Sequence, residues 1–515
     1  MGRGQATSPL GGAREDTAPA PRSAHEGFLR RQAARESAAR TYARALPIVP
    51  VRARGLTIEG ADGRRYLDCL SGAGTLALGH NHPVVLESLR KVLDSGAPLN
   101  ALDLATPVKD AFLTELLRTL PRGLADRAHV RFCGPAGSEA VETAYALVRA
   151  ATGRNGLVTF TGAGDRSTAR AFDVTSAEAH GARITRLPDP RDHRCAIGAG
   201  GEPGSDLCSF GAGGERGSDL CSLGARGEPG PDLAAGWTEF LLDHPAAGAP
   251  LPAGVIIEPV RSEGGVIPVP DTWLRRVRRL TADRSVPLIA DEIRTGVGRT
   301  GAFWAVEHSG VTPDVMVLSD AIGGSLPLAV VVYRDDLDVG EPGTSAESFP
   351  GNQLAMAAGT ATLAHVRENA LAERAATLGA RMLNQLQQLV SDFACVADVR
   401  GRGLMIGVEL MDPEGEREPG DPGAARTAHC GMEASARPGS GPGPLPAAPG
   451  PAAAVQRECL RRGLIVGLGG PHASVVHLLP PLTITDEQAA AVMDRLADAV
   501  GAAARDCGAG TAAAP

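Results

Sequence analysis

Short apolar runs alternate with helical patterns through the middle of the chain. The runs that predict strands are VRFCG (130–134), GLVTFT (156–161), GVIIEPV (254–260), VPLIADEI (286–293), DVMVLS (314–319) and PLAVVVY (327–333). Helical spacing begins at Ser138, after the first run, and again at Asp271, after the third. Apolar strands that alternate with helices are typical of an α/β fold, in which crossover helices cover a mostly parallel sheet.

The last third of the chain has a different pattern. Two long helical stretches come first, followed by the apolar segments VRGRGLMIGVEL and VVHLLPP and by a final helix. Thr485 and Gln488 have the spacing of a capping box, which marks the N-terminus of that helix. We therefore predict a smaller α+β domain formed by residues 26–95 and 336–500, beside a large α/β domain over residues 96–335.

Four segments are rich in Gly, Pro or Ala and lack apolar periodicity: residues 1–25, 197–235, 413–453 and 501–515. We predict loops or disordered tails at the two ends and one insertion within each domain. The second segment carries an imperfect 13-residue repeat that begins with GEPGSDLCSFGAG at Gly201. The repeat is too short and too Gly-rich for a solenoid, which leaves an expanded surface loop or a small binding element.

Charge and composition exclude several kinds of partner. The chain has 51 basic and 59 acidic residues, a net charge of −8 and no long basic block, so neither nucleic acid nor an anionic membrane is expected as its main partner. The longest apolar run, residues 326–333, is too short to span a bilayer. The first 25 residues lack the apolar stretch of a signal peptide, so we predict a cytoplasmic protein. Nine scattered cysteines without CxxC spacing resemble neither a disulfide framework nor a zinc site.

Ligands of open parallel sheets bind at the carboxyl ends of the strands, so the residues after each apolar run are candidates for a site. After VRFCG comes the small-residue turn Gly134-Pro135-Ala136-Gly137-Ser138, and a helix follows it. The amides of such a turn, with the Ser138 hydroxyl, can bind a phosphate at the helix N-terminus. A turn with a Ser cap also begins ordinary helices, so the turn alone leaves both interpretations open.

Eight further motifs occur in a fixed order along the chain. They are YARALP (42–47), SGAGTLALGHNHP (71–83), IEPVRSEGGV (257–266), ADEIRTGVGRTGAF (290–303), SDAIGGSLPLAVVVY (319–333), FPGNQLAMAAG (349–359), GRGLMIGVEL (401–410) and LLPPLTIT (478–485). Together they resemble the class III, fold type I aminotransferases, which depend on pyridoxal phosphate. Within the class the chain is most similar to the diaminobutyrate:2-oxoglutarate aminotransferases. The resemblance covers about residues 27–500, apart from the two insertions.

The resemblance implies a homodimer and a pyridoxal phosphate site, and it assigns a role to several residues. Asp291 matches the partner of the pyridinium nitrogen, and Ile293 matches the residue against the ring. Gly137 and Ser138 match the turn that binds the phosphate. Ser348 matches a hydroxyl residue that, in the family, reaches the phosphate from the second subunit.

The lysine that forms the Schiff base in the family is absent. The family motif is Ser-Lys-Ala-Ile-Gly-Gly, whereas residues 319–324 read Ser-Asp-Ala-Ile-Gly-Gly, so Asp320 is at the lysine position. A carboxylate cannot form an imine or shuttle protons as a lysine does. Lys91 and Lys109 are the two lysines of the chain, and both lie in helical patterns as solvated positions. Covalent binding of the cofactor is therefore not expected.

Three other site positions also depart from the family. Gly162-Ala163-Gly164-Asp165 replaces the segment that carries the ring stacked on the cofactor, Arg294 replaces a glutamine near the phenolic oxygen, and His477 replaces the arginine that binds the substrate carboxylate. Because the family counterparts of Arg294 and Asp320 both approach the cofactor, we expect these two side chains to form an ion pair. Such a pair would avoid a buried carboxylate without a partner, which would be costly.

Three functions remain open. In the first, the protein is a pseudoenzyme that keeps the dimeric scaffold and acts as a partner or regulator, for instance of an active paralogue. In the second, Asp320, Asp165, His477 or Glu263 performs acid–base chemistry in the old pocket without pyridoxal phosphate. In the third, the chain retains some amino-group transfer from a diamino acid to 2-oxoglutarate.

Two further expectations concern ligands. Non-covalent binding of pyridoxal phosphate would depend on Gly137, Ser138, Ser348 and Asp291, without the stacking ring and without an imine. No HxxxH or ExxH spacing supports a metal site, so none is predicted. His80 and His82, in GHNHP, are interpreted as structural residues of a fold motif.

Overall fold

The computed structural model describes most of the chain. The described residues are 21–35, 46–102, 104–160, 183–187, 230–243, 250–339, 351–412, 449–470 and 472–509. No helix among these residues is both long enough and apolar enough to cross a membrane.

A seven-stranded sheet lies at the centre of the larger part of the molecule. Its strands, in spatial order, are β4 (Ala128–Phe132), β12 (Val330–Arg334), β11 (Val315–Leu318), β10 (Leu288–Asp291), β7 (Gly254–Ile257), β5 (Gly156–Phe160) and β6 (Arg183–Leu187). All neighbours are parallel except β12, which is antiparallel to both β11 and β4. The prediction of a mostly parallel sheet is confirmed. Every residue of β7, β10 and β11 is buried, as expected for strands covered by helices on both faces.

Helices cover the two faces of this sheet and form its core with alternate strand residues. On one face, α4 (Gly137–Thr152) packs its buried side chains near Ile289 and Val317. On the other face, α6 (Asp271–Asp283) buries Trp273, Leu274 and Val277 in the cluster that includes Leu288 and Met316. α5 (Gly230–Asp243) packs beside α6.

The chain contains further helices on either side of the sheet segment. These are α1 (Pro21–Arg35), α2 (Pro83–Asp94), α3 (Pro107–Thr119), α7 (Gln353–Glu368), α8 (Leu371–Leu386), α9 (Gln388–Asp392), α10 (Pro449–Arg461) and α11 (Asp486–Ala509). Short 3-10 segments lie at Ser71–Gly74, Ala125–Arg127, Ala305–Ser309, Asp320–Gly323 and Asp335–Leu337. α7 packs against α2 and α3. Thr485 and Gln488 exchange the two side chain to backbone hydrogen bonds of a capping box, at 3.0 and 3.2 Å, which confirms the predicted start of α11.

Two four-stranded sheets combine the N-terminal segment with the last third of the chain. The first contains β1 (Pro50–Arg54), β2 (Thr57–Gly60), β3 (Arg65–Asp68) and β15 (Leu464–Ile465), with β15 parallel to β3. The second contains β13 (Val396–Arg402), β14 (Met405–Leu410), β17 (Val475–Leu478) and β16 (Gly467–Gly469), all antiparallel. A two-stranded ribbon, β8 (Val260–Arg261) with β9 (Ile267–Pro268), follows β7.

The predicted limits of all four Gly- and Pro-rich segments were wrong at one end. α1 begins at Pro21 inside the predicted N-terminal tail, and α5 begins at Gly230 inside the predicted 197–235 insertion. α10 begins at Pro449, inside the predicted 413–453 insertion, and α11 continues to Ala509 through the predicted tail. Proline near the start of a helix is well tolerated, because the first turn has no partner for its N–H group. Residues 188–229, which contain most of the 13-residue repeat, lie outside the described residues.

Three glycines form a junction in which backbone contacts backbone. Gly403, in the turn between β13 and β14, has a φ of +55°, and a β-carbon on it would lie 2.7 Å from the Arg299 carbonyl oxygen. A β-carbon on Gly379 of α8 would lie 2.7 Å from the Gly403 Cα, and one on Gly301 would lie 2.9 Å from the Ala376 β-carbon. α8, the turn and residues 299–301 can therefore approach this closely only because all three positions are glycine.

We predict that Gly403→Ala destabilises the protein far more than Gly55→Ala. Gly55 has a φ of +54°, but a β-carbon added to it would have no other atom within 4 Å, so it is a control with the same backbone strain. The control should cost about 1 kcal/mol, from the left-handed conformation alone. Gly403→Ala should cost at least about 3 kcal/mol, because it adds overpacking against backbone that cannot yield. Urea unfolding midpoints, followed by tryptophan fluorescence, measure both costs. Equal midpoints for the two variants would contradict the close backbone contact at Gly403.

Candidate functional site

Acidic residues follow three neighbouring parallel strands at the same edge of the sheet. Glu258 comes directly after β7, Asp291 ends β10, and Asp320 comes two residues after β11. The carboxyl ends of β7, β10 and β11 lie side by side because β10 is parallel to both of the others. This edge is where open α/β sheets bind their ligands.

Asp291 is buried, with 4% of its surface exposed, and its Oδ1 accepts a hydrogen bond from the Ile293 amide at 3.1 Å. Burial and repulsion from Asp291 raise the pKa of Glu258 to about 8, against attraction from Arg261 and Arg294. Glu258 is therefore expected to be protonated at neutral pH. Glu258 was not among the predicted site residues, although its position directly after β7 marks it as a residue at a strand end.

The predicted phosphate turn lies next to this edge. α4 begins at Gly137, and a β-carbon on Gly137 would lie 2.7 Å from the Ile293 Cδ1, so glycine allows the helix end to approach the Asp291 segment. Ser138 lies in the first turn of α4 and does not cap the helix. The cap position is Ala136, whose N–H donates to the Glu139 carboxylate at 3.1 Å. The interpretation of Ser138 as an ordinary cap was wrong, and its hydroxyl lies at the helix N-terminus with the Gly137 amide.

Arg294 lies between two carboxylates. Its Nη1 donates a short hydrogen bond to Glu263, and its Nε lies 3.8 Å from the Asp320 Oδ2. The predicted ion pair with Asp320 is therefore present, but it is the looser of the two contacts. Glu263 lies in the turn between β8 and β9, and the Gly470 N–H donates to its carbonyl oxygen at 2.8 Å, which connects this turn to the sheet that contains His477.

Asp320 begins a short 3-10 segment with a φ of +52°. Asp is among the residues that adopt this left-handed conformation most readily. Burial raises the pKa of Asp320 to about 6; attraction to Arg294 opposes this rise and repulsion from Glu263 adds to it. The side chain keeps 26% of its surface exposed, so the described residues cover it only in part. None of the described residues donates a hydrogen bond to its carboxylate.

His477 is a buried residue of β17, opposite Gly407 and Gly467. Its ring lies against Gly469, where a β-carbon would collide with it. Burial lowers the pKa of His477 to about 4; Glu263 opposes this and Arg294 adds to it. The imidazole is therefore neutral at physiological pH, and its Nε2 has no hydrogen-bond partner among the described residues. A neutral ring cannot replace the charge of an arginine that binds a carboxylate.

Several predicted residues lie elsewhere or outside the described part of the chain. Ser348 and residues 162–165, including Asp165, are outside it. Lys91 is 73% exposed and pairs with Glu87 at 2.8 Å, as predicted for a solvated helix position. Lys109 is partly buried, with its Nζ 4.9 Å from the centroid of the Phe132 ring, so its prediction as solvated was wrong.

The histidines of GHNHP have structural partners. His80 Nε2 lies 2.8 Å from the Asp68 carboxylate, and the rings of His82 and His365 pack with centroids 4.9 Å apart. Among the described residues no cluster of His, Cys, Asp or Glu is arranged to hold a metal ion.

The comparisons with known proteins agree with this architecture. The family model described as aminotransferase class-III matches residues 38–187 and 244–500. This chain belongs to the class III aminotransferase family. The solved structures similar to it include an (S)-enantioselective omega-transaminase from Thermomicrobium roseum, with a TM-score of 0.69 and 23% identity over 93% of this chain and 98% of that one. Another is the ornithine aminotransferase from Toxoplasma gondii, with a TM-score of 0.68 and 21% identity over 96% and 100%.

Within the family, the chain is similar to diaminobutyrate–2-oxoglutarate aminotransferases. It is 43% identical to the protein of that name from Rhizobium meliloti over 483 residues, 92% of each chain. It is 34% identical to the one from Haemophilus influenzae over 485 residues, 93% of this chain and 96% of that one. The similarity extends over nearly the full length of each.

The family implies pyridoxal phosphate as the cofactor, and the residues present fit only part of that group. The close approach of Gly137 to Ile293 fits a phosphate at the N-terminus of α4, and the buried Asp291 carboxylate fits a pyridinium nitrogen. Asp320 does not fit the aldehyde, because a carboxylate offers no amine to it. The site thus has residues that would contact the phosphate and the pyridinium ring, but it has no amine at Asp320 that could bond to the aldehyde.

We predict that His477→Gln makes the protein relatively more stable as the pH falls. The folded imidazole stays neutral down to about pH 4, whereas the unfolded one binds a proton below its usual pKa of 6.5, so acid favours unfolding through this residue. A shift of this size corresponds to about 3 kcal/mol between pH 7 and 4, at about 1.4 kcal/mol per pKa unit.

The measurement is the difference in unfolding free energy between the His477→Gln variant and the unaltered protein across this pH range. Asp320 and Glu258, whose pKa values are raised, become more stabilising as the pH falls, and the difference cancels their contribution because both proteins contain them. A difference that does not change with pH would show that folding leaves the pKa of His477 at its unfolded value.

Proposed function

We propose that this chain is a class III aminotransferase homologue that has lost normal lysine-dependent transamination and retains the family scaffold in a non-catalytic role. The observation that carries this proposal is Asp320. It follows β11 at the edge of the sheet that also holds Asp291, at the position where the family motif has its lysine. Loss of that lysine removes both the covalent attachment and the proton shuttle, which should lower the rate by several orders of magnitude.

Neither remaining lysine supports a replacement. Lys91 is solvent-exposed in the last turn of α2, where it pairs with Glu87. Lys109 lies on α3 against the ring of Phe132, on the edge strand β4 of the large sheet. β4 is separated from β10 by two strands, β12 and β11. A lysine amine from either helix would have to leave its present contacts to serve the Asp291 edge.

The names of the relatives suggest transfer of an amino group between diaminobutyrate and 2-oxoglutarate. Two features weigh against that activity here. Asp320 cannot form the imine, and His477, neutral because burial lowers its pKa, stands where the family has the arginine that binds the substrate carboxylate. We therefore propose that the chain keeps the fold of these relatives and not their amino-group transfer.

A second candidate function is acid–base chemistry without pyridoxal phosphate. Asp320 favours it, because this carboxyl group is partly exposed and its pKa of about 6 suits a general base near neutral pH. His477 does not support it, since its ring is buried and its pKa is near 4. A single carboxyl group with a suitable pKa is weaker support than the loss of the lysine.

The homodimer is part of the proposal. Leu99, Leu102 and Leu104, between α2 and α3, are 50%, 68% and 66% exposed in the single chain. Three neighbouring leucines with this exposure are unusual on a free surface and favour a second copy that covers them. The resemblance also implies that Ser348 completes the site of the other subunit, so the pocket would lie at the interface.

We predict that the double substitution Leu102→Glu and Leu104→Glu converts the dimer to a monomer, because two carboxylates at a closed apolar contact lose hydration without a partner. Sedimentation velocity at micromolar concentration measures the change. Val390→Glu is the control, since Val390 on α9 is also exposed, at 40%, but lies in another part of the chain. A double variant that remains dimeric would contradict the assignment of these leucines to the interface.

We predict that the protein incubated with pyridoxal phosphate shows no Schiff-base absorbance band and gives no lysine adduct after borohydride reduction. Asp320→Lys should restore both, since it supplies an amine at the family position. Asp320→Arg is the matched control, because it adds a long cation that cannot form a stable imine. Peptide mass spectrometry identifies the adduct. A reduced adduct on Lys91 or Lys109 in the unaltered protein would overturn the proposed function.

A further inference from the structure

We propose that the pocket binds the amine form of the family's cofactor, pyridoxamine phosphate, more tightly than the aldehyde form, with the ammonium group on Asp320. This inference rests on the proposed function, because it requires that Asp320 makes no covalent bond. It goes beyond loss of activity, since it assigns Asp320 a ligand and reverses the preference that a lysine at this position creates.

The first support is the charge balance around Arg294. Glu263 and Asp320 share this one guanidinium, and Glu263 makes the closer contact. The Asp320 carboxylate is left 3.8 Å from Arg294 Nε, without a hydrogen bond from any described residue, and it is partly exposed. Desolvated carboxylates are costly unless they receive charge-assisted hydrogen bonds. A ligand that brings an ammonium group to Asp320 would supply them.

The second support is the chemistry at the end of the side chain. An aldehyde presents a carbonyl oxygen with partial negative charge, which a carboxylate repels and cannot attack to form an imine. A primary amine at the same carbon is protonated at neutral pH, and it donates hydrogen bonds to a carboxylate. Such charge-assisted hydrogen bonds are about twice as strong as neutral ones. Asp320 therefore discriminates between the two forms in the direction opposite to lysine.

The third support is the length of the side chain. In the aldehyde adduct of a lysine, the lysine nitrogen is bonded to the carbon that carries the amine nitrogen in pyridoxamine phosphate, so the two nitrogens occupy the same place. Aspartate places its oxygens two bonds short of that place, about 2.5 Å, which is close to the length of a charge-assisted N–H···O hydrogen bond. Glutamate would reach one bond further and would crowd the amine.

The other end of the ligand is held by residues that have not departed from the family. Gly137 and Ser138 lie at the N-terminus of α4, where Gly137 approaches the side chain of Ile293. The Ile293 N–H donates to the buried carboxylate of Asp291. These residues would contact both forms of the cofactor equally, since the forms differ only at the carbon that faces Asp320. The preference can therefore be measured as a ratio, in which the shared phosphate and ring contacts cancel.

The experiment compares the dissociation constants of pyridoxamine phosphate and pyridoxal phosphate for the full chain by isothermal titration calorimetry, with inorganic phosphate as a third probe. We expect the amine form to bind about tenfold more tightly or better, equivalent to about 1.4 kcal/mol. Asp320→Asn, which is nearly isosteric and uncharged, should remove most of this preference. Inorganic phosphate should bind Asp320→Asn and the unaltered protein alike, since Asp320 does not contact the phosphate end.

Ser71→Ala is a control for general effects, because Ser71 is a buried residue that bonds to the Asp68 backbone and carboxylate and should leave the ratio unchanged. If Asp320→Asn fails to fold, Asp320→Glu tests the same point, since it keeps the charge and should weaken the preference through crowding. Equal affinities for the two forms, or no binding of either at millimolar concentration, would overturn this inference and leave the proposed function standing. A borohydride-reducible adduct with pyridoxal phosphate would overturn the proposed function instead.

Discussion

One guanidinium shared between two carboxylates links the charged groups of this pocket. Arg294 compensates Glu263 closely and Asp320 loosely, and both Arg294 and Glu263 also act on further neighbours. Glu263 attracts a proton toward His477 while Arg294 repels it, and Arg294 also attracts the Glu258 carboxylate. Burial dominates each of these shifts, so the charges modulate a site whose pKa values are set first by the loss of water.

The departures from the family are easier to understand as a set than one at a time. If Asp320 occupies the lysine position of the family, as the resemblance implies, this change alone would leave a carboxylate among acidic neighbours, with Glu263 nearby and Asp291 on the adjacent strand. Arg294, at a position where the resemblance implies a neutral amide, supplies a compensating charge to both Glu263 and Asp320. Arg294 therefore offsets part of the negative charge that Asp320 and Glu263 bring to the site.

The sequence predicted the central sheet well because β7, β10 and β11 are uniformly apolar and buried on both faces. It predicted the Arg294–Asp320 contact through resemblance, but not that Glu263 is the closer partner. Glu263 lies in a ribbon of two-residue strands, β8 and β9, which leave no periodic signal. The roles expected for Asp291, Gly137 and Ser138 came from the resemblance alone, since no pattern of polarity distinguishes a pyridinium partner from any other acid at a strand end. The helix that begins at Gly230 was missed because a Gly-Pro start resembles a loop.

The junction of Gly403, Gly379 and Gly301 has a consequence for how the two parts of the molecule can move. Packed helices usually slide past one another by small changes in side-chain rotamers, which is the basis of shear motion. At this junction α8, the turn after β13 and residues 299–301 meet through backbone atoms and the methyl group of Ala376, which has no rotamers. Sliding there has no rotamers to absorb it, so relative motion of the two parts near this point is restricted to rotation about the contact. The three glycines that allow this close contact would then also determine the point about which the two parts rotate.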